Sequence, residues 1–505
     1  MRCTECEELE LARVRDELPV QVMPVPHAAL DGFPAGRRPR DLTRRRLLQG
    51  GMAGLASIYA PKALGWESVW ESVAEAATGQ NCLVMIYLAG GNDGLNTLVP
   101  AGGADYSSYV AKRPVLSRGQ GATSGGRVGS QPLAGAGGAQ LAFSNVVVST
   151  GGGGDNGDAS FGFDVLYGDG SGGAGSNLAV LPAVDVPNYS LSHFDNSDVW
   201  FSGSTSASTT GWLGRWIDRN GSATNPLQAI SIDNALSKAI RTQVNPVCAI
   251  PSLSALGFTM NASGGYASPS GDASHVDINA RMRELSAFPP GDPANLPLAR
   301  SRGTFGIAVD AYQAGKALGP LPAPVGYPAN ATSSSSLSGK LRLAAHLLGA
   351  NLGTRVITIH WGGFDTHGGQ LAAQDPQLTE LSRALGAFQA DLATRGIEQN
   401  VSTMVFSEFG RRVAENGSAG TDHGAGGLMM VAGSGVRGGL ASQWPGCTDA
   451  NLLKGNLAIP TNFRSVYGSI VGEWLGDDPQ AVLGAAAIPP LVRGDGLSGT
   501  KVLFR

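Results

Sequence analysis

The sequence predicts an α/β protein built on a doubly wound, mostly parallel sheet. Three observations carry that prediction: apolar runs of strand length, segments of helical periodicity between them, and polar glycine-rich loops at the ends of several runs. Residues 82–88 read CLVMIYL, apolar throughout, as a strand covered on both faces must be. Further runs lie at 178–184 (LAVLPAV), 355–360 (RVITIH), 401–406 (VSTMVF) and 428–432 (LMMVA). Between them, residues 338–352 place Leu341, Leu343, Ala344, Leu347 and Leu348 at helical spacing, and 377–395 do the same with Leu378, Leu381, Leu385, Phe388 and Leu392. Residues 463–475 read as a further helix. Strands alternating with helices are the pattern of a sheet wound on both faces.

Composition narrows the function classes. The 36 Lys and Arg against 40 Asp and Glu leave a net charge of −4, which argues against a nucleic-acid partner. Glycine supplies 73 of 505 residues, about twice the usual share, so long loops are expected. Residues 117–177 are densest in Gly, Ser and Ala, with Gly151-Gly152-Gly153-Gly154 inside them. No convincing strand precedes these glycines and no helix follows, as a phosphate cradle needs, so the segment reads as a surface insertion. Residues 260–300 and 319–338 read as further loops.

The first 76 residues read as an address. Thr43-Arg44-Arg45-Arg46-Leu47-Leu48 precedes an uncharged run from Gly50 to Pro61, a basic cluster and short apolar stretch like a bacterial export signal. The paired arginines resemble the twin-arginine pattern, which makes the twin-arginine export machinery an expected partner and the periplasm or the extracellular space the expected location. Cleavage is expected after Ala74-Glu75-Ala76 or nearer Ala63. The run is too short to span a bilayer, and no transmembrane segment is expected in the mature chain, residues 77–505. Cys3 and Cys6 would be discarded with the leader. Cys82 reads as a core residue, and Cys248 and Cys447 could pair in an oxidising compartment.

Four polar clusters follow strand-like runs: Gly91-Asn92-Asp93-Gly94; Ser190-Leu191-Ser192-His193-Phe194-Asp195; His360-Trp361-Gly362-Gly363-Phe364-Asp365-Thr366-His367; and Ser407-Glu408 through Arg411-Arg412 to Asp422-His423-Gly424. Of the seven histidines, His193, His360, His367 and His423 fall inside them. Asp and neutral His are ordinary ligands of Zn²⁺ and related ions. Singly, each cluster has a structural reading: Asp93 in an Asx turn, His193 and Asp195 or Asp365 capping helices, Glu408 paired with Arg411. Together they point to one shared site.

The strings GGNDGLNT, SHF, GWLGR, GGFDTH, SEFGR and GTDHG, in this order over about residues 82–475, resemble a large uncharacterised family of exported bacterial proteins. That family looks sulfatase-like and belongs to the alkaline phosphatase-like superfamily. The resemblance implies an alkaline phosphatase-like fold and a site for one or two divalent ions (Zn, Mn or Ca). Asp93 matches the early ligand, Ser192 the nucleophile with Ser190 as second choice, Asp365 and His367 the first-metal pair, and Asp422 and His423 the adjacent pair. The spacing of Asp365 and His367 is D-x-H where D-x-x-x-H is commoner. No histidine follows His423, so His193, His360 or Glu408 would have to replace the late ligand. No C-x-P-x-R sequence is present, so formylglycine chemistry is not implied.

On this resemblance the expected reaction is hydrolysis of a phosphate or sulfate ester, carried by a small anionic molecule or a surface glycan or polymer. Asp93, Asp422 and His423 would hold the ion that activates Ser192, and Asp365 and His367 the ion near the leaving group. Arg411 or Arg412 would clamp the anion, and Asn92 would donate to a non-bridging oxygen. The alternative is a non-catalytic binding or cell-surface assembly protein on a degenerate hydrolase scaffold. An exported redox enzyme is a third reading, without a haem, iron–sulfur or dinucleotide motif behind it.

Overall fold

The computed structural model describes residues 80–118, 131–133, 140–149, 161–205, 208–253 and 318–505, except positions 172, 174, 224, 319, 498 and 500, together with a two-residue strand at 58–59. The arginine motif, Cys3, Cys6, Gly151–Gly154 and the loop at 260–300 lie outside the described residues. So do Ala63 and the Ala74–Ala76 cleavage pattern.

Ten strands form the main sheet: β1 (Ile58–Tyr59), β2 (Cys82–Ala89), β6 (Leu178–Asp185), β7 (Ala229–Ser231), β8 (Val247–Ala249), β9 (Val356–Gly362), β10 (Val401–Phe406), β11 (Gly427–Ala432), β12 (Gly439–Leu440) and β15 (Thr461–Asn462). Their order is β1-β8-β7-β9-β2-β10-β11-β6-β12, with β15 also on β6. The pairs β8–β7, β7–β9, β9–β2 and β2–β10 are parallel, as are β12 and β15 on β6. β1 runs against β8, and β11 runs against both β10 and β6. The sheet is therefore mixed but largely parallel. β1 falls in the segment read as leader, and a chain cut after Ala76 would lack that edge strand.

The apolar runs are buried because both faces are covered. Along β2, Val84, Ile86 and Leu88 point into one core and Leu83, Met85 and Tyr87 into the other, the period of two that a strand imposes. The first core meets α5 (Leu337–Gly349) and α6 (Gln370–Thr394), and also α2 (Phe163–Tyr167). The second meets α3 (His193–Ser202), α4 (Trp212–Asn220), α7 (Phe463–Ser469) and α8 (Pro479–Leu483).

Three expectations shift. α6 starts at Gln370, behind Gly369 in the left-handed conformation at φ +56°, and carries Pro376 inside it; the apolar spacing that placed the start at 377 does not register its polar first turns. The helix at 463–475 ends in a π turn, Ile470–Trp474. The described parts of 117–177 are not all surface excursion. β4 (Gln131–Pro132) and β5 (Leu141–Phe143) form a small antiparallel sheet with β3 (Leu98–Pro100). Phe143, Val147, Phe163 and Leu166 are buried in the first core, because scattered apolar residues in a glycine-rich segment still gain by burial. α1 (Gly103–Lys112), β13 (Leu452–Leu453) and β14 (Asn456–Leu457) complete the elements used below.

Cys248 and Cys447 are both buried free thiols, in different cores. The expected disulfide is therefore absent: Cys248 lies on β8, whereas the Cys447 thiol donates to the Asp105 carbonyl. Among the described residues, no helix is long and apolar enough to cross a membrane.

Candidate metal centre

β2, β6, β9 and β10 all end at one edge of the sheet, where open α/β folds place their sites. The loops leaving that edge are tied together by two devices. Gly90 follows β2 at φ +118°, and a Cβ there would come 2.4 Å from the Asp365 amide nitrogen, so only glycine permits the approach. Arg411 is the second device. Its Nε donates to the Gly91 carbonyl at 2.7 Å and its Nη1 to that of Thr421 at 2.8 Å. Its Nη2 donates to the carbonyls of Gly90 and Phe364 and to Asp365 Oδ1, the last at 2.6 Å.

At this junction four side chains converge. His367 Nε2 lies 3.0 Å from His423 Nε2, and both lie 3.1 Å from Asp365 Oδ1. His193 Nε2 lies 3.5 Å from Asp365 Oδ2. Among the described residues, ligand atoms of His193, Asp365 and His423 fall within 4.8 Å of one another. His193 enters from the first turn of α3, Asp365 and His367 from the loop after β9, and His423 from the β10–β11 connection.

The other nitrogen of each ring fixes its tautomer. His193 Nδ1 lies 2.6 Å from Glu408 Oε1, His367 Nδ1 3.4 Å from Asp422 Oδ1, and His423 Nδ1 2.8 Å from the Leu191 carbonyl. A carbonyl or an ionised carboxylate only accepts, so each Nδ1 has an acceptor for its hydrogen; with a cation bound, each ring would keep that hydrogen and turn its Nε2 lone pair to the ion, whereas without one a proton on Nε2 must meet Asp365. Three lone pairs and a carboxylate at this spacing repel one another unless protons or a cation lie between them. Bonds of about 2.0–2.1 Å to a tetrahedral ion would set ligand atoms roughly 3.3 Å apart, close to the ring-to-Asp365 and His367-to-His423 separations of 3.0–3.5 Å. The donor set therefore fits a Zn²⁺-like ion. It does not fit Ca²⁺, which takes six to eight oxygens.

Electrostatics agree. Burial alone would lower the His193 value, but its bonds to Asp365 and Glu408 raise it to about 9. Burial works against the charge on Asp365 as well, yet His193, His423 and Arg411 hold it well below the ordinary carboxylate range. Glu408, 1% exposed, is likewise lowered against its burial by His193, and it accepts the Gly90 amide at 2.9 Å. Such carboxylate–histidine pairs orient metal ligands. Glu408→Gln is accordingly expected to weaken divalent-ion binding by about 10- to 100-fold without unfolding the chain, read by competition with a chromophoric chelator. Unchanged affinity would remove Glu408 from the centre.

Residues 324–453 match a family model described as "Protein of unknown function (DUF1501)". The match takes in Asp365, His367, Glu408, Arg411, Asp422 and His423, but neither Asp93 nor His193. No curated protein and no solved structure matches the chain.

Several sequence-derived site residues stand elsewhere. Asp93, expected as a ligand, is 1% exposed and paired two-pronged with Arg113, at 2.6 and 3.0 Å, while Gln370 Nε2 donates to it at 2.5 Å. Both its oxygens are engaged, so it does not face the imidazoles as a free donor. His360 is turned away, its Nδ1 4.0 Å from Asp233 and its ring edge-on to Tyr87. Arg411 is fully buried and its donors serve the loops, so it is a strap and not an anion clamp. Asn92 is buried and accepts from Gln374 at 2.9 Å, so it is no substrate donor. Asp422 orients His367, as Glu408 orients His193. Ser192 caps α3, its Oγ accepting the Asp195 amide at 3.3 Å, and Ser190 Oγ donates to Asp195. Arg412 is half-buried; the Asn416 bond and His367 hold Asp422 low against its burial, and the Arg412 charge adds to them.

Arg113 gave no signal in the sequence. Gln370 and Gln374 did: two amides four residues apart on an otherwise apolar helix face need buried partners. Asp185, which ends β6, had the same strand-end position as Asp93. It is buried and accepts the amides of Val186 and Gly426 at 2.8 and 2.9 Å.

Proposed function

We propose that the chain is an exported hydrolase of phosphate or sulfate esters that depends on one divalent ion of the Zn²⁺ or Mn²⁺ type. The single observation behind this reading is the convergence of three imidazole Nε2 atoms on Asp365, each ring held through its Nδ1. A bound ion would polarise the ester and stabilise charge building on its oxygens. His193, Asp365, His367 and His423 would hold it. Asp365 and His367, 47% and 46% exposed in their side chains, leave the centre open to a substrate from solvent. Arg412 is the guanidinium left to meet an anionic group, since Arg411 is spent on the loops. Ser192 remains the proposed nucleophile, one residue before a ligand; its Oγ accepts a bond and keeps its proton free to leave. The pairing of Asp93 with Arg113 supports one ion in preference to two. Export rests on the arginine motif and the apolar run behind it.

A second reading, a non-catalytic protein with a closed metal site, is favoured by the count of four converging ligands, since closed four-ligand sites are structural. Assay of aryl phosphate and aryl sulfate esters with the Zn²⁺- or Mn²⁺-loaded chain separates the two. Turnover that disappears in Asp365→Ala is expected; a stoichiometric ion with no turnover across the panel would favour the closed site.

A further inference from the structure

We infer that His367 is the exchangeable ligand of the centre: His193, Asp365 and His423 keep the ion, and His367 gives up its place to an oxygen of an anionic substrate. The inference rests on the metal-centre reading above and extends it to how substrate gains access. Four protein ligands fill a tetrahedral ion, whereas catalytic sites keep three and leave one position open. One of the four must therefore leave if an ester is to be reached, and the four are not held equally.

His193 is 22% exposed in its side chain and bonded at 2.6 Å to the buried Glu408. His423 is 21% exposed and bonded at 2.8 Å to a main-chain carbonyl. Both rings lie against Phe409, with centroids 4.9 and 4.7 Å away. Asp365 is fixed at 2.6 Å by Arg411, a buried guanidinium that cannot follow it outward. His367 differs from the other two rings on each count. Its side chain is 46% exposed, and its Nδ1 bond is long, 3.4 Å, to an Asp422 that is itself 54% exposed. Among the described ring contacts it meets His423 and not Phe409. Its main chain is held, with the His367 carbonyl accepting from Asn416 at 3.0 Å and the Gly369 amide donating to the Ser418 carbonyl at 3.0 Å, so the freedom lies in the side chain. A ring with a weak anchor and solvent on one side can rotate off the ion about its own side-chain bonds without disturbing the other three.

The test uses the full chain loaded with Zn²⁺ for affinity and with Co²⁺ for visible spectra, with inorganic phosphate as the probe. His367→Ala, with His367→Gln as a second variant, is expected to keep one ion per chain within about tenfold of the parent affinity, while His423→Ala falls about a hundredfold or more. Phosphate is expected to change the parent Co²⁺ spectrum and to bind more tightly to His367→Ala, where no ring has to be displaced. Loss of the ion from both His367 variants as complete as from His423→Ala would overturn the inference, as would a parent spectrum indifferent to phosphate. A parent chain that takes up no cobalt would overturn the centre itself, and that result is distinct from either of the others.

Discussion

Arg113→Met is expected to lower the free energy of unfolding by about 3–5 kcal/mol, because it strands Asp93 as an unpaired charge in the interior. Arg113 and Asp93 are 0% and 1% exposed, and the guanidinium also donates to Asn96, to the Val413 carbonyl and to that of Arg412. Burial alone would lower the Arg113 value, but Asp93 raises it. Adding Asp93→Asn to Arg113→Met should recover part of the loss, since the buried charge is gone and the amide can still pair with Gln370. Urea unfolding measures both. The single variant Asp93→Asn should bind a divalent ion as the parent does. If it abolished binding instead, Asp93 would be a ligand after all, as its place in the sequence suggested.

Asp365→Ala and His423→Ala are each expected to weaken divalent-ion binding by about a hundredfold or more, since each removes an atom at the centre of the cluster. The pH dependence has a definite sign. His193 holds a proton up to about 9 when only Asp365 and Glu408 face it, and a cation must displace that proton. Affinity should therefore rise with pH and flatten near 9, changing by up to about tenfold per unit for one proton. Stability of chelator-treated protein should run the other way. A raised histidine value stabilises fully below about 6.5, and the gain fades as pH climbs through the folded value. Asp185 acts in the same direction. Burial raises it to about 7 against the bonds from Val186 and Gly426, so the native state binds its proton more tightly and loses stability as pH rises through that range. Thermal unfolding with and without Zn²⁺ from pH 5 to 9 should show the two curves diverging; parallel curves would argue against proton displacement at His193.

Much of the scaffold was legible because its signal is local. A run such as 401–406 must be a covered strand, and β10 spans those residues. Strand direction was not legible: β11 runs against β10 because the 20 residues between Phe406 and Gly427 return without a crossover helix, and nothing in an apolar run records its direction. The site was half legible. Histidines clustered in loops after strands marked His193, His367 and His423, and the same signal also marked His360, which faces Asp233 and Tyr87 instead. Whether an acid coordinates, or orients a ligand, depends on what lies opposite it in space. Asp93 was drawn off by Arg113, 20 positions along the chain, and Asp422 and Glu408 stand behind imidazoles. Arg411 shows the same limit, because a guanidinium beside a site looks identical in sequence whether it faces substrate or carbonyls.

The most direct test of the central claim is the number of divalent ions retained by the purified chain after dialysis against Zn²⁺, compared with the Asp365→Ala, His423→Ala double variant. One ion per chain, lost in the double variant and kept in Asp93→Asn, is the predicted result. No bound ion in the parent, or an ion that survives loss of both Asp365 and His423, would contradict it.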